Sequence, residues 1–347
     1  MKIFVTGTDG YIGALLGPRL AQAGHDVTGL DTGYYREGWL YTDCENQSRI
    51  PMTLVKDLRH IEAHDLAGCE AVVHMAELSN DPLGENNPQV THAINHVGSI
   101  RLAELARDAG IERFVYTSSC SVYGAGEGTL DETSPTQPQT AYAECKLLVE
   151  RDIAKLATEN FTPVFLRNAT AYGASPRMRF DIVLNNLAGV AWTTNEIKVT
   201  SDGTPWRPLV HVIDICKAIQ CCIDAPKQTV HNQIFNVGHD ADNYQIREVA
   251  EIVGEEFPNC TVSIGSSAGD NRSYRVDFSK ITNELPGFKC EWTARRGAKQ
   301  LRQLFKRIDL DRTTFEGRGH TRLKMLQHLI VTRQIDDEFF WRSLEVQ

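Results

Sequence analysis

Residues 2–13 read Lys-Ile-Phe-Val-Thr-Gly-Thr-Asp-Gly-Tyr-Ile-Gly. Residues 3–5 form an uninterrupted run of β-branched and aromatic side chains, which is typical of a short buried strand. Glycines then recur at a regular spacing, as Gly7, Gly10 and Gly13. A strand followed at once by this glycine pattern predicts a tight turn into a helix.

This predicted turn suits a dinucleotide. Backbone without Cβ atoms lets a diphosphate approach closely, and a helix N-terminus offers free N–H groups and the positive end of its dipole. The next predicted strand, Asp26–Leu30, leads to Asp31, whose carboxylate can accept hydrogen bonds from both hydroxyls of an adenosine ribose. The same carboxylate repels a 2′-phosphate, so the sequence favours NAD over NADP. A tight turn without a ligand is the less favoured alternative, because the strand, helix and acid occur in the required order.

Composition excludes several classes of partner. The formal net charge of −9 argues against nucleic acid, whose phosphates require a basic surface. No apolar run approaches the roughly 20 residues that span a membrane. The 9 cysteines show no metal-type spacing and no CxxC pair, which indicates reduced thiols and no metal site. Because the first strand starts directly after Met1, we expect no targeting segment and a cytoplasmic location.

Short apolar runs alternate with longer helical stretches over residues 1–175, which predicts an α/β fold with a doubly wound parallel sheet. The alternation weakens afterwards, so we expect a smaller substrate-binding lobe over residues 176–311. A strand near 233–238 is predicted to return to the main sheet. Residues 312–347 form a C-terminal extension to which the sequence assigns no role.

One group of residues carries the predicted chemistry. Ser119 follows the fifth predicted strand, and Tyr142 and Lys146 lie four residues apart on the next helix. That spacing places the phenol and the ammonium one turn apart on one face. A neighbouring ammonium favours the phenolate, lowering a pKa that is about 10 in water. Such a phenol can remove a hydroxyl proton while a hydride leaves the same carbon. The alternative, a chance YxxxK on an exposed helix, is disfavoured by the dinucleotide pattern that precedes it.

In the order of these motifs, the chain resembles the extended short-chain dehydrogenase/reductases of the nucleotide-sugar epimerase/dehydratase family, and especially members of the UDP-glucose 4-epimerase type. The resemblance covers about residues 1–300 and includes His74-Met75-Ala76, Val122-Tyr123-Gly124 and Asp202-Gly203-Thr204. It implies a Rossmann-type fold, a tightly bound NAD that is used transiently, and a homodimer formed through helices 91–109 and 142–156.

The resemblance also implies roles for individual residues. Its catalytic residues fall on Ser119, Tyr142 and Lys146. Its cofactor contacts fall on Gly7, Gly10, Tyr11, Ile12, Gly13, Asp31, Asp57, Leu58, Met75, Ala76, Glu77, Asn95, Ser118, Tyr142, Lys146 and Asn168. Its substrate contacts fall on Ser119, Cys120, Ser121, Thr170, Arg207 and Arg272. The two guanidinium groups suit a nucleotide diphosphate, although a surface ion pair is the alternative for each.

Departures from the family pattern narrow the reaction. The 4,6-dehydratases that the chain resembles carry an Asp-Glu pair directly after the serine, where this chain has Cys120 and Ser121. Neither residue supplies the acid and base that dehydration needs at neutral pH. Glu77 stands where the family usually has a small residue. Because most acidic side chains are solvated, we expect the side chain of Glu77 to point outward, and a contact with the substrate is the alternative. Thr170 stands where asparagine is usual in UDP-galactose 4-epimerases, so the sugar and the nucleotide stay open.

We therefore predict an NAD-dependent epimerase of a UDP-, GDP- or dTDP-linked sugar, with the tyrosine as acid and base. A dehydrogenase or ketoreductase of the same family, dependent on NAD or NADP, is the first alternative. A non-catalytic NAD-sensing protein is the second, because a fold does not fix a function.

Overall fold

A computed structural model describes residues 1–42, 50–79, 87–267 and 272–342. Its strands, in chain order, are β1 Lys2–Thr6, β2 Asp26–Asp31, β3 Met52–Val55, β4 Ala71–His74, β5 Arg113–Ser119, β6 Thr129–Leu130, β7 Thr162–Asn168, β8 Thr170–Tyr172, β9 Glu196–Ser201, β10 Trp206–His211, β11 Gln233–Val237, β12 Asn243–Gln245, β13 Thr261–Ser267 and β14 Arg275–Val276.

The helices, in chain order, are α1 Gly13–Gln22, α2 Pro88–His92, α3 Ser99–Asp108, α4 Ala141–Ala154, α5 Val183–Thr194, α6 Val212–Asp224, α7 Lys227–Val230, α8 Ile246–Glu256, α9 Ser279–Glu284, α10 Ala294–Arg307, α11 Arg312–Glu316 and α12 Arg322–Val331. A π-helical segment, Ala93–Gly98, joins α2 to α3, so the predicted helix 91–109 is not a regular α-helix. Short 3₁₀ segments include Leu58–His60, Cys120–Tyr123 and Arg318–His320.

Seven strands form one parallel sheet in the order β11-β7-β5-β4-β1-β2-β3. The predicted doubly wound α/β fold is therefore confirmed, and β11 is the strand that returns to it beside β7. The chain runs outward from β1 to β3 and then crosses to β4 on the other side. A crevice opens at such a reversal, outside the carboxyl ends of the strands, and this is where ligands bind in open α/β sheets.

The two loops at this reversal approach each other closely. Gly7, which follows β1, has φ +80°, and a Cβ atom there would lie 3.1 Å from the backbone nitrogen of Ala76, which follows β4. Glycine adopts this positive φ without a steric penalty. The glycine turn and the His-Met-Ala segment therefore form one continuous wall.

Most residues that follow β7 form a second layer, which lies at the carboxyl ends of the strands of the parallel sheet. Strands β8, β10 and β12 form a small sheet, and β9 pairs with β13. Helices α5, α8 and α10 pack on a second apolar core that includes Leu184, Val253 and Leu301. The extension then folds back over the loops that follow β2 and β4; its residues 343–347 lie outside the described part. No helix within the described ranges has both the length and the apolarity needed to cross a membrane.

Candidate active site

A cavity of about 930 Å³ opens at the carboxyl ends of the parallel strands. Most of the residues predicted for the site line it, namely Gly7, Gly10, Tyr11, Ile12, Gly13, Asp31, Asp57, Leu58, Met75, Ala76, Glu77, Ser118, Ser119, Ser121, Tyr142, Lys146, Asn168, Thr170, Arg207 and Arg272. Two predicted residues, Asn95 and Cys120, do not. Motifs that are far apart in the sequence thus meet at one place.

The glycine turn and the start of α1 line this cavity. A Cβ atom at Gly13 would lie 2.1 Å from the carbonyl oxygen of Gly7, so a larger residue would push the start of α1 away from the turn. Gly10 N–H donates to the same carbonyl at 3.1 Å. Ile12, at the N-cap, provides no side-chain hydrogen bond to the helix start. The N-terminus of α1 therefore faces the cavity, as an anion site requires.

Asp31 is fixed at the end of β2 by two backbone donors. Gly33 N–H donates to Oδ1 at 2.8 Å, and Asp9 N–H donates to Oδ2 at 3.0 Å. Burial raises the pKa of Asp31, and these two hydrogen bonds oppose that effect. Arg36, the nearest arginine in sequence, pairs with Asp9 at 3.0 Å. These two hydrogen bonds fix the orientation of the Asp31 carboxylate.

A buried hydrogen-bonded chain supports the part of the wall that Met75 and Ala76 form. Thr6 Oγ1 accepts from the backbone N–H groups of Met75 and Ala76, each at 3.1 Å, and so donates its own proton to His74 Nδ1 at 2.7 Å. His74 Nε2 must then carry the proton that reaches Ser99 Oγ at 2.7 Å. Burial lowers the pKa of His74 to about 3, so the ring is neutral.

Asn95 belongs to this support and does not line the cavity. Its Oδ1 accepts from Leu78 N–H at 2.8 Å, and its Nδ2 donates to the Leu78 carbonyl at 3.1 Å. Both ends of the amide are therefore occupied by the loop that follows β4. We correct the assignment of Asn95 from cofactor contact to a residue that positions this loop.

The three predicted catalytic residues lie together. Tyr142 and Lys146 are one turn apart on α4, whose first turn is capped by Thr140 Oγ1 accepting from Ala143 N–H at 3.2 Å. Lys146 Nζ lies 5.5 Å from the centre of the Tyr142 ring and donates to the Thr117 carbonyl. Ser119 ends β5 and lines the same cavity.

Glu77 points inward, so the interpretation of an outward, solvated acid is wrong. Its side chain is 1% exposed, and Oε2 lies 2.7 Å from Lys146 Nζ. Tyr116 donates its hydroxyl proton to Oε1 at 2.6 Å. Burial raises the pKa of Glu77. Burial lowers the pKa of Lys146, but attraction to Glu77 and Tyr142 outweighs this, and the net pKa is raised.

Cys120 is a core residue. Its side chain packs in the main apolar core, and its Sγ lies 3.1 Å from the Arg167 carbonyl as a donor. Burial raises the pKa of the thiol far above its usual range. We therefore correct the predicted substrate contact at Cys120, whereas its neighbours Ser119 and Ser121 both line the cavity.

Apart from Glu77 Oε2, which is ion-paired with Lys146, two buried polar atoms of the wall have no hydrogen-bond partner in the described part of the chain. They are Ser121 Oγ and Asn168 Oδ1, and both are buried. Buried polar atoms are normally hydrogen-bonded, so an unused donor and acceptor in a cavity indicate a polar ligand. Together with the glycine turn and Asp31, they fit a dinucleotide and a hydroxyl-rich substrate.

Several residues that line the cavity are not among those predicted from the sequence motifs. They are Tyr34, Tyr35, Gln139, Thr140, Arg179, Asp181, Ile182, Thr321, Arg322 and Leu323, among others. Arg179 pairs with Asp181 at 2.9 Å and donates to Ser79 Oγ at 3.2 Å. These side chains come from loops and from the extension, where no sequence periodicity marks a site.

Comparison with known proteins identifies the group to which this arrangement belongs. Residues 3–238 match the NAD dependent epimerase/dehydratase family. The chain belongs to this family. Membership confirms the predicted family and its NAD cofactor, and it supports an enzyme of the nucleotide-sugar epimerase/dehydratase type.

Individual members are related at low identity. A UDP-glucose 4-epimerase from Mycolicibacterium smegmatis is 30% identical over 327 residues, which cover 88% of this chain and 99% of that protein. A UDP-glucose 4-epimerase from Corynebacterium glutamicum is 28% identical over 306 residues, covering 82% of this chain and 90% of the relative.

Solved structures of other proteins superpose on most of this chain. MoeE5, in complex with UDP-glucuronic acid and NAD, matches with a TM-score of 0.76 at 25% identity, covering 88% of this chain and 99% of MoeE5. The UDP-glucose 4-epimerase of Thermotoga maritima, with UDP-glucose, matches with a TM-score of 0.78 at 21% identity, covering 89% and 100%. The second likeness bears on the fold alone.

Proposed function

We propose that this protein is an NAD-dependent epimerase of a nucleotide-linked sugar that acts at C4. One observation carries the proposal: each of the four carboxylates of the described wall is already engaged, and Tyr142 stands beside Lys146. The carboxylates are those of Asp31, held by backbone N–H groups, Asp57, paired with Arg59 at 2.8 Å, Glu77, paired with Lys146, and Asp181, paired with Arg179. Dehydration needs a free acid and a free base, whereas epimerisation needs one proton-transfer residue.

The protein's own residues divide the work. NAD, when bound, supplies the oxidant and later the reductant of the sugar carbon. The N–H groups at the start of α1 hold its diphosphate, and Asp31 accepts from its adenosine ribose. Tyr142 takes the proton of the sugar hydroxyl at its phenolate oxygen and returns it after the ketone has turned over. Lys146 stabilises that phenolate, and Ser119 donates to the same sugar oxygen.

A second cavity, of about 310 Å³, supports a nucleotide-linked substrate. It shares Thr170, Val183, Arg207 and Arg272 with the wall of the main cavity. The two arginines thus lie where the cavities meet, and we assign them to the diphosphate of the substrate, with the nucleoside in the smaller cavity. Guanidinium groups match phosphate oxygens in a bidentate geometry. The names of the relatives make UDP the first nucleotide to test.

The reaction is tested by incubating the purified protein and NAD with single UDP-, GDP- and dTDP-sugars in deuterium oxide. We expect a C4 epimer that carries no carbon-bound deuterium, because the hydride returns to the carbon it left. Product that has lost water and gained carbon-bound deuterium would indicate a dehydratase. Steady accumulation of NADH would indicate the dehydrogenase alternative. No change in any sugar would contradict the proposal.

The family resemblance also leads us to propose a homodimer in the cytoplasm. The proposed interface lies along α3 and α4, the helices to which the resemblance points. Light scattering of the purified protein measures the mass that decides this point.

Changing Glu77 to glutamine should shift the acidic limb of the pH–rate profile. The amide keeps the oxygen that accepts from Tyr116 but removes a negative charge beside Lys146. With less negative charge nearby, the phenolate of Tyr142 becomes easier to form, so the limb should move to lower pH by about one unit. The shift is measured from the profile of kcat/KM recorded between about pH 5 and about pH 10.

Tyr116→Phe is the matched control, because it removes the hydrogen bond and keeps the charge. Its acidic limb should stay within about 0.3 units of the parent, since no charge changes. An E77Q limb that does not move, or that moves to higher pH, would contradict the assigned influence of Glu77.

A further inference from the structure

The C-terminal extension covers the adenosine side of the cavity. Trp341 Nε1 donates to the Thr32 carbonyl at 2.7 Å, directly after β2. Arg59 Nη1, in the 3₁₀ segment that follows β3, donates to the Glu338 carbonyl at 2.8 Å. The hydroxyl of Tyr34 donates to the Phe339 carbonyl. Residues 312–342, which we call the strap, are therefore tied to the same loops that hold Asp31 and Asp57.

The strap is also held by its own apolar cluster. Met325, Leu326 and Leu329 of α12 pack with Ile335 and Phe339 of the strap. The cluster continues into residues from the body of the protein, namely Tyr34, Leu78, Val90 and Ile94. Three of these, Tyr34, Leu78 and Ile94, also line the main cavity. The docking of the strap and the shape of the cavity thus depend on the same side chains.

Arg322, the first residue of α12, brings a charge into this cavity. It is 7% exposed, lies on the cavity wall, and stacks its guanidinium 3.8 Å from the centre of the Tyr35 ring. Within residues 1–42, 50–79, 87–267 and 272–342, no side chain or carbonyl accepts a hydrogen bond from this guanidinium or forms an ion pair with it. A buried cation without such a partner is costly, and a bound anion would remove the cost.

Charges of both signs surround Arg322. Attraction to the Asp181 and Asp31 carboxylates is opposed by repulsion from the Arg179 guanidinium. Asp181 is itself paired with Arg179, and Asp31 is bound by two backbone N–H groups. Burial is the largest influence and lowers the pKa of Arg322 to about 10, which leaves it charged at neutral pH.

We propose that Arg322 binds the diphosphate of NAD and that the strap thereby retains the cofactor between turnovers. A guanidinium fork matches the paired oxygens of a diphosphate. The 2′-phosphate of NADP is the less suitable anion, because the Asp31 carboxylate on the same wall would repel it. The inference depends on the NAD cofactor of the family and not on which sugar is epimerised.

Binding measurements without any sugar test this assignment. Protein freed of nucleotide is titrated calorimetrically with NAD, with ADP, which has the diphosphate, and with adenosine, which lacks it. Arg322→Gln should raise the Kd for NAD and ADP by about 10- to 100-fold, as expected for the loss of a charged hydrogen bond, and leave adenosine binding unchanged. Arg322→Lys should recover part of the loss for both ligands.

Arg318→Gln is the matched control, because Arg318 belongs to the same strap but is 47% exposed and pairs with Glu37 at 3.0 Å. Its affinity for NAD should equal that of the parent. The melting temperature of the nucleotide-free R322Q protein should not fall, since the variant removes an uncompensated buried charge. A structural role for Arg322 would instead lower that temperature.

Three outcomes would overturn the proposal. The first is R322Q protein that binds NAD and ADP as tightly as the parent. The second is an equal loss for adenosine, which would place Arg322 at the nucleoside. The third is a parent protein that prefers NADP and loses only that preference in R322Q, which would place the guanidinium at the 2′-phosphate. These binding measurements contain no sugar. They can therefore be interpreted even if the protein epimerises none of the sugars tested under Proposed function.

The strap's part is tested by the rate of NAD release. Trp341→Ala removes the hydrogen bond to Thr32 and the contact with the Tyr34 ring, whose centre lies 5.6 Å from that of Trp341. Release of bound NAD after rapid dilution should become about 5- to 10-fold faster, the effect expected for the loss of one hydrogen bond that holds the strap. An unchanged release rate would show that the strap does not retain the cofactor.

Discussion

Tyr142→Phe should lower kcat for epimerisation by about 10²- to 10⁴-fold, the contribution of a well-placed general acid or base. The variant keeps the ring, and with it the packing against Lys146, whose Nζ lies 5.5 Å from the ring centre. It loses only the oxygen that exchanges a proton with the sugar. NAD binding should change little, because the glycine turn and Asp31 hold the other half of the cofactor.

The measurement is single-turnover conversion of the sugar by the NAD-loaded protein. Tyr116→Phe is a suitable comparison, because this second buried tyrosine also lies near Lys146, at 4.7 Å from Nζ to the ring centre. Its hydroxyl bonds Glu77, so its loss should cost less than about 10-fold in rate. Unchanged turnover in Tyr142→Phe would refute the proposed chemistry, whatever the identity of the sugar.

Arg167→Met should destabilise the fold by about 3–5 kcal/mol, the usual cost of leaving one member of a buried ion pair alone. Arg167 on β7 and Glu150 on α4 are each 4% exposed and lie 2.7 Å apart. Glu150 also accepts from the hydroxyl of Ser118, so its unpaired charge would sit directly behind the catalytic strand β5. Urea denaturation followed by fluorescence and circular dichroism measures the loss.

The double variant Glu150→Gln with Arg167→Met tests whether the lost stability comes from the unpaired charge. Replacing both charges together removes the desolvation cost of each, so most of the stability should return. Arg151→Met, which breaks an exposed pair with Asp152, should cost less than about 1 kcal/mol. A single R167M variant as stable as R151M, or a double variant worse than either single change, would contradict this account.

Much of the fold and site could be predicted because the signals are local. The strand predicted near 233–238 is observed as β11, Gln233–Val237, and Tyr142 and Lys146 lie one helical turn apart as their spacing requires. Glycine, strand and acid are neighbours in sequence as well as in space. The carboxyl ends of parallel strands then bring separate motifs to one edge of the sheet.

The errors have physical causes. The rule that acids are solvated fails for Glu77, because an ammonium on α4 and the hydroxyl of Tyr116 on β5 compensate its burial, and sequence spacing does not reveal either contact. Cys120 turns into the core between two serines that face the cavity. The sequence does not predict Arg322 at the site, because only the docking of the strap brings it to the cavity wall beside Tyr35.

The position of the strap along the chain fixes when the cofactor pocket can be finished. Synthesis proceeds from the N-terminus, so the glycine turn and the parallel sheet leave the ribosome long before residues 312–342. The nascent chain therefore lacks the Tyr34–Phe339 and Thr32–Trp341 contacts until residues 339 and 341 have been synthesised. By the proposed role of the strap, NAD is retained firmly only after these contacts form, and a chain truncated before residue 312 should release NAD faster than the parent.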